Sequence, residues 1–113
     1  MINNFKSKYT LTQRKNESYN IMLKYPDRIP IVVQTENFNL KRVKFLVNRS
    51  LKLGQFIIVL RNHAKINPYE AVFISTFNGL GLYTNEIINN IWYDYKDEDD
   101  FLYLYVSKEN TFG

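Results

Sequence analysis

The residues in this chain that could carry chemistry are few, and they point away from catalysis. Asp97-Glu98-Asp99-Asp100 is the densest cluster of metal-ligand types, but it lacks the spaced ligands and turn glycine of a calcium loop and reads as a solvated turn ahead of the last strand. His63, the one histidine, falls in the last turn of an expected helix, where the helix dipole suits it without a catalytic role. The chain has no cysteine, which excludes structural disulfides, thiolate metal sites and cysteine-nucleophile or thioester chemistry from within it. No glycine-rich phosphate loop, nucleophile elbow or triad occurs, so no enzyme activity, cofactor or metal is expected.

Binding chemistry is better represented. A net charge of +4 suits acidic peptides, anionic membrane or nucleic acid and selects none of them. Lys41-Arg42-Val43-Lys44, with aromatic neighbours, could form a nucleic-acid contact face, for which steep weakening by salt would be the mark. The same stretch enters Val43-Lys44-Phe45-Leu46-Val47, a short strand whose alternation puts Lys44 and Leu46 on one side and Val43, Phe45 and Val47 on the other. A peptide added to such an edge by main-chain hydrogen bonds would turn its residues i and i+3 to opposite sides, because three is odd. That geometry asks for an aromatic and an aliphatic anchor three apart. The competing reading is that these apolar residues are ordinary core and that Arg42 and Lys44 guard an edge against aggregation.

The elements that must position these residues follow from pattern. With 113 residues, 45% of them hydrophobic and 16% aromatic, a single domain over 1–113 with a real core is expected. A short helix and a longer one fill the first 24 residues, with Leu11, Ile21 and Met22 on a shared face, Thr10 or Thr12 as cap, and an end before Tyr25-Pro26. Ile29–Gln34 is a β-branched strand whose early proline marks an edge or a strand beginning. A polar connection over 35–39 leads to the Val43–Val47 strand, completing a hairpin. Leu53–Ala64 is a helix, Ala71–Phe77 a third strand, Asn78-Gly79 a turn, Asn85–Tyr95 a fourth helix with Trp92 packed inward, and Phe101–Val106 the last strand. The order β-β-α-β-α-β is that of the ubiquitin β-grasp, an α+β fold with a four-stranded mixed sheet, here preceded by two additional N-terminal helices. Residues 1–24 then form a helical extension, 25–106 the ubiquitin-like core and 107–113 a flexible tail.

The opening MINNFKSKYT has no apolar run behind a basic stretch and no Gly at position 2, and nothing later reaches the roughly 18 apolar residues that span a bilayer, so a cytoplasmic protein is expected. The glycosylation patterns at Asn16-Glu17-Ser18 and Asn48-Arg49-Ser50 then carry no meaning.

Three stretches together resemble the GABARAP-type autophagy modifiers: Lys24-Tyr25-Pro26-Asp27-Arg28-Ile29-Pro30; Phe45-Leu46-Val47 followed by Leu53-Gly54-Gln55-Phe56; and Asp97 to Tyr103 running on to Glu109-Asn110-Thr111-Phe112-Gly113. The resemblance covers essentially the whole chain. It implies a ubiquitin-like modifier whose C-terminal Gly113, led by Phe112, is passed by activating, conjugating and ligase-like enzymes to phosphatidylethanolamine. A cysteine protease would expose or release that glycine, and the protein, a monomer without nucleic-acid partners, would shift from cytoplasm to the autophagosome or a related organelle membrane. A residue without a side chain suits this chemistry, since it threads into narrow active sites and leaves its carbonyl open to thiolate and then amine. By itself a terminal glycine is a chain end, and an unconjugated peptide-binding scaffold is the alternative.

The resemblance also implies receptors carrying aromatic-x-x-aliphatic motifs. Carried over residue by residue, the aromatic pocket comprises Glu17, Ile21, Pro30, Val32, Lys44, Leu46 and Phe101. The aliphatic pocket comprises Phe45, Val47, Leu51, Phe56 and Val59 with Arg28 at its rim, and Arg42 and Lys44 meet the acidic flank of the motif. The chain departs from the family at Asn48, usually proline, at Ser50, usually aspartate, at Ser75, often aromatic, and at Gly79-Leu80-Gly81-Leu82, which replaces a double proline. These departures put in doubt the rim of the aliphatic pocket and a second docking surface across the sheet.

Overall fold

In the computed structural model, which describes residues 4–110, the chain runs α1 (Asn4–Lys8), α2 (Leu11–Lys24), β1 (Arg28–Thr35), β2 (Lys44–Asn48), α3 (Leu53–Ala64), β3 (Glu70–Thr76), α4 (Ile88–Tyr95) and β4 (Leu102–Asn110). Thr10 caps α2 in a reciprocal box: its hydroxyl accepts from the Gln13 N–H at 3.1 Å while the Gln13 side chain accepts from the Thr10 N–H at 2.9 Å. The helix stops at Lys24, ahead of Tyr25-Pro26.

The strands form one sheet in the order β2-β1-β4-β3, with β1 antiparallel to β2, parallel to β4, and β4 antiparallel to β3. This is the mixed four-stranded β-grasp sheet. Strand β1 is interior, so Pro30 marks a strand beginning and not an edge. Backbone bonds from Val33 N to Val43 O (2.8 Å) and from Arg49 N to Asp27 O (2.9 Å) set the hydrogen-bonded pairs of the β1–β2 ladder at odd positions. Pro30, opposite Leu46, therefore turns its missing N–H away from β2, and β4 begins its pairing only at Ile31.

One sheet face carries Ile29, Ile31 and Val33 of β1, Phe45 and Val47 of β2, and Leu102, Leu104 and Val106 of β4; these bury against Leu53, Phe56 and Leu60 of α3 and Ile88 and Ile91 of α4. The opposite face packs Val32, Phe101 and Tyr103 against Phe5 of α1 and Ile21 of α2.

Strand ends shift by a single residue at several places, and two element boundaries differ from the sequence reading by more than that. Helix α4 starts at Ile88, not Asn85, because the carbonyls of Thr84 and Glu86 accept from the Gly54 and Leu53 N–H groups (2.9 and 2.8 Å), which serves the first turn of α3 and keeps residues 84–86 out of a helix. Strand β4 runs on to Asn110 instead of ending at Val106. Residues 107–110 pair with β3 residues 70–73, and the Asn37 side chain brackets Lys108, donating to its carbonyl at 2.6 Å and accepting from its N–H at 3.0 Å. The first part of the expected flexible tail is thus strand; Phe112 and Gly113 lie outside the described residues.

Candidate functional site

Strands β2 and β3 are the two edges of the sheet. The far end of β3 is closed by its own loop: Thr76 N donates to Leu80 O (2.9 Å), Leu82 N to Ile74 O (3.1 Å), and Gly79, at φ 84, makes the left-handed turn that folds Gly81 back against Ser75. The Gly79–Leu82 departure therefore seals an edge. Among the described residues no loop covers strand β2 in this way, and since its hydrogen-bonded partners sit at odd positions, the N–H and C=O groups of Lys44 and Leu46 face outward.

The side chains of β2 alternate as expected. Phe45 and Val47 are buried and Lys44 and Leu46 half-buried on the opposite face. Val43 is the exception: it precedes the strand, is 45% exposed, and lines a cleft of about 200 Å³ with Phe5, Lys8, Tyr9 and Lys44 instead of joining Phe45 and Val47.

On the α2 side the residues expected to line the aromatic pocket lie near one another, with Pro30, Val32 and Phe101 buried. Leu46 stands opposite Pro30 and Lys44 opposite Val32 across the β1–β2 pair. Val32 and Phe101 form one buried cluster on which Ile21 packs, and the Lys44 ammonium pairs with the Glu17 carboxylate at the mouth. Both partners are over 30% exposed, so that pair contributes at most about 1 kcal/mol and yields readily to a competing carboxylate. Helix α1 was not legible as part of this region, although Phe5 and Tyr9 at i, i+4, with ring centroids 5.3 Å apart, give the signal that places it there.

On the α3 side Phe45 meets Phe56 edge-on at 5.6 Å and His63 at 5.3 Å, and Leu51 and Val59 pack partly buried on the same cluster. Phe45, Val47 and Phe56 are core residues here, while Leu51 and Val59 are half-buried. Arg28 reaches to β2 and to Tyr25. Its guanidinium lies 6.0 Å from the Tyr25 ring and donates to Leu46 O at 3.4 Å. Arg42 lies over Phe45 at 5.1 Å and donates through Nε to Lys44 O at 2.9 Å. Asn48 and Ser50 form a side-chain-closed turn, the Asn48 Oδ1 accepting from the Ser50 N–H (2.9 Å) and hydroxyl (2.6 Å).

The acidic run corrects the sequence reading. It is a turn, but Asp99 is fully buried, not solvated: its Oδ2 accepts from Arg14 Nη1 at 2.6 Å and from the Tyr103 hydroxyl, and its Oδ1 accepts from the Phe101 N–H at 2.9 Å. The Ser18 hydroxyl donates to the Asp99 carbonyl, and Lys6 pairs with Asp97 at 2.6 Å. Burial, and then the bond to Asp99, push the Tyr103 phenol far above its ordinary range. Asp100 takes φ 68, a conformation Asp tolerates, and its carbonyl receives the Trp92 indole N–H at 2.7 Å. The run thus clamps α1 and α2 to the sheet beside the candidate pocket. Among the described residues no group of three or more His, Asp or Glu is placed to hold a metal, and no helix is long and apolar enough to cross a membrane.

Much of this sequence, and its fold, recur in known proteins. A family model described as autophagy protein Atg8, ubiquitin like, matches residues 13–113. Autophagy-related protein 8d of Arabidopsis thaliana is 41% identical over 99% of this chain and 96% of its own length. Autophagy-related protein 8 of Mycosarcoma maydis is 39% identical over 96% of the chain and 95% of its own. The crystal structure of Trypanosoma brucei ATG8 superposes with a TM-score of 0.91 at 34% identity, covering 100% of both chains.

Proposed function

Because this chain belongs to the Atg8 family of ubiquitin-like autophagy proteins, which are modifiers and not enzymes, we propose that it is joined through Gly113 to phosphatidylethanolamine and there holds receptors by their aromatic-x-x-aliphatic motifs. Within the family the KYPDRIP and ENTFG stretches support a GABARAP-type member. Its partners are then the lipidation enzymes, the cysteine protease that acts on the glycine, and motif-bearing receptors at the autophagosome membrane. The observation that carries the reading is strand β2, an uncovered edge whose outward backbone groups at Lys44 and Leu46 lie between an α2-side and an α3-side apolar surface. A peptide strand on that edge drops its aromatic residue toward Ile21, Lys44 and Leu46 and its aliphatic residue toward Leu51 and Val59. Two anchors and a few backbone bonds give about 8 kcal/mol, near-micromolar binding.

Calorimetric titration with a short acidic-flanked motif peptide tests this. Leu46→Ala is expected to weaken binding about tenfold, while raising salt from roughly 50 to 200 mM weakens it only several-fold, against the roughly thousandfold loss of a phosphate-contacting protein. A peptide with both anchors changed to alanine that binds as well as the original would contradict the reading.

A further inference from the structure

Every outward carbonyl of the β2 edge is already occupied. Lys44 O accepts from Arg42 Nε (2.9 Å), Leu46 O from Arg28 Nη1 (3.4 Å), and Asn48 O from the Leu51 N–H (3.1 Å). The first two donors are charged, exposed side chains, and each rests by an aromatic ring, Arg42 over Phe45 and Arg28 beside Tyr25. A peptide strand that pairs with this edge aims its own N–H groups at the same carbonyls, so it competes with both guanidiniums for them.

We propose that Arg28 and Arg42 are latches on the β2 edge, and that acidic residues of an incoming peptide act by drawing the guanidiniums off the Leu46 and Lys44 carbonyls as much as by attracting the peptide. The inference rests on the peptide-binding reading above. The physical basis is an exchange of partners. A guanidinium leaving a neutral carbonyl for a peptide carboxylate trades one charge-assisted bond for a stronger, often bidentate one, whereas a peptide without acidic residues leaves it to water. Neutral strands, including the edge of a second copy, are thereby kept off, which is the problem any uncovered edge must solve. Selectivity for acidic peptides then contains a repulsive element against neutral ones.

Simple attraction and latching predict different outcomes for one measurement. The motif peptide is made in two forms, with glutamate flanks and with alanine flanks, and each is titrated into the wild-type protein, Arg42→Ala, Arg28→Ala and the double variant. Latching predicts that the alanine-flanked peptide binds about threefold more tightly to each single variant and more tightly still to the double variant, the size expected for one exposed hydrogen bond removed, while the glutamate-flanked peptide binds more weakly. Carbonyl carbon shifts of Lys44 and Leu46, recorded without peptide, move in the variant lacking the corresponding arginine. Unchanged or weaker binding of the alanine-flanked peptide overturns the latch while leaving the site itself intact. Failure of the wild-type protein to bind either peptide overturns the underlying reading, and the latch with it.

Discussion

Gly113→Ala is expected to abolish the lipid-modified form of the protein completely while leaving the fold and peptide binding intact. The modification chemistry must deliver the terminal carbonyl into the active sites of enzymes that supply the cysteines this chain lacks, and a glycine enters where even a methyl group crowds the attacked carbon. Two acyl chains, at about 0.8 kcal/mol per buried methylene, hold a conjugate on the bilayer where a single short chain gives only marginal attachment. The single substitution thus confines the protein to the soluble fraction. The check is the intact mass of the protein in membrane fractions from starved native cells, with and without phospholipase D: a lipid-sized addition trimmed by the enzyme is expected for the wild type and none for the variant. A wild type that stays unmodified throughout starvation identifies an unconjugated scaffold instead.

The second large effect is on stability. Asp99→Ala strands the Arg14 guanidinium and the Tyr103 hydroxyl in a buried setting and removes the acceptor of the Phe101 N–H, so a loss of about 3–5 kcal/mol is expected in urea denaturation. Adding Arg14→Met to that variant should recover part of the loss, because the uncompensated buried charge goes with it. Because Ser18 and Arg14 lie on α2 with Glu17 and Ile21, loosening the clamp also loosens the α2 wall of the candidate pocket. Peptide affinity is therefore expected to fall together with stability, although Asp99 faces no ligand. A loss below about 1 kcal/mol would mean the network contributes no more than a solvated surface pair.

How much of this was legible depends on whether the deciding partner is near in sequence. Tyr25-Pro26, the β-branched strand at Ile29 and the turn at Gly79 are local signals that match the structure, and of the two candidate caps Thr10 and Thr12 it is Thr10 that caps α2. The buried state of Asp99 is set by Arg14, 85 residues away, and nothing inside an acidic run distinguishes the one carboxylate that finds such a partner. Pro30 left edge and strand beginning open because only the parallel pairing of β1 with β4 decides between them. The late start of α4 and the extension of β4 likewise depend on α3 and β3, which use the backbone groups concerned. At the site, alternation along β2 was readable from residue types alone. That Arg28 and Arg42 rest on strand carbonyls was not, because it depends on ladder parity and not on residue type.

The central claim is that β2 receives a peptide strand with one anchor on each side. Amide chemical-shift mapping during titration with an acidic-flanked aromatic-x-x-aliphatic peptide tests it most directly. Large shifts and slowed hydrogen exchange are expected at the Lys44 and Leu46 amides, accompanied by shifts at Glu17 and Ile21 on one side and Leu51 and Val59 on the other. Shifts gathered around Phe73 and Phe77 on β3, or around Lys41 and Arg42 alone, with the Lys44 and Leu46 amides unmoved, would contradict it.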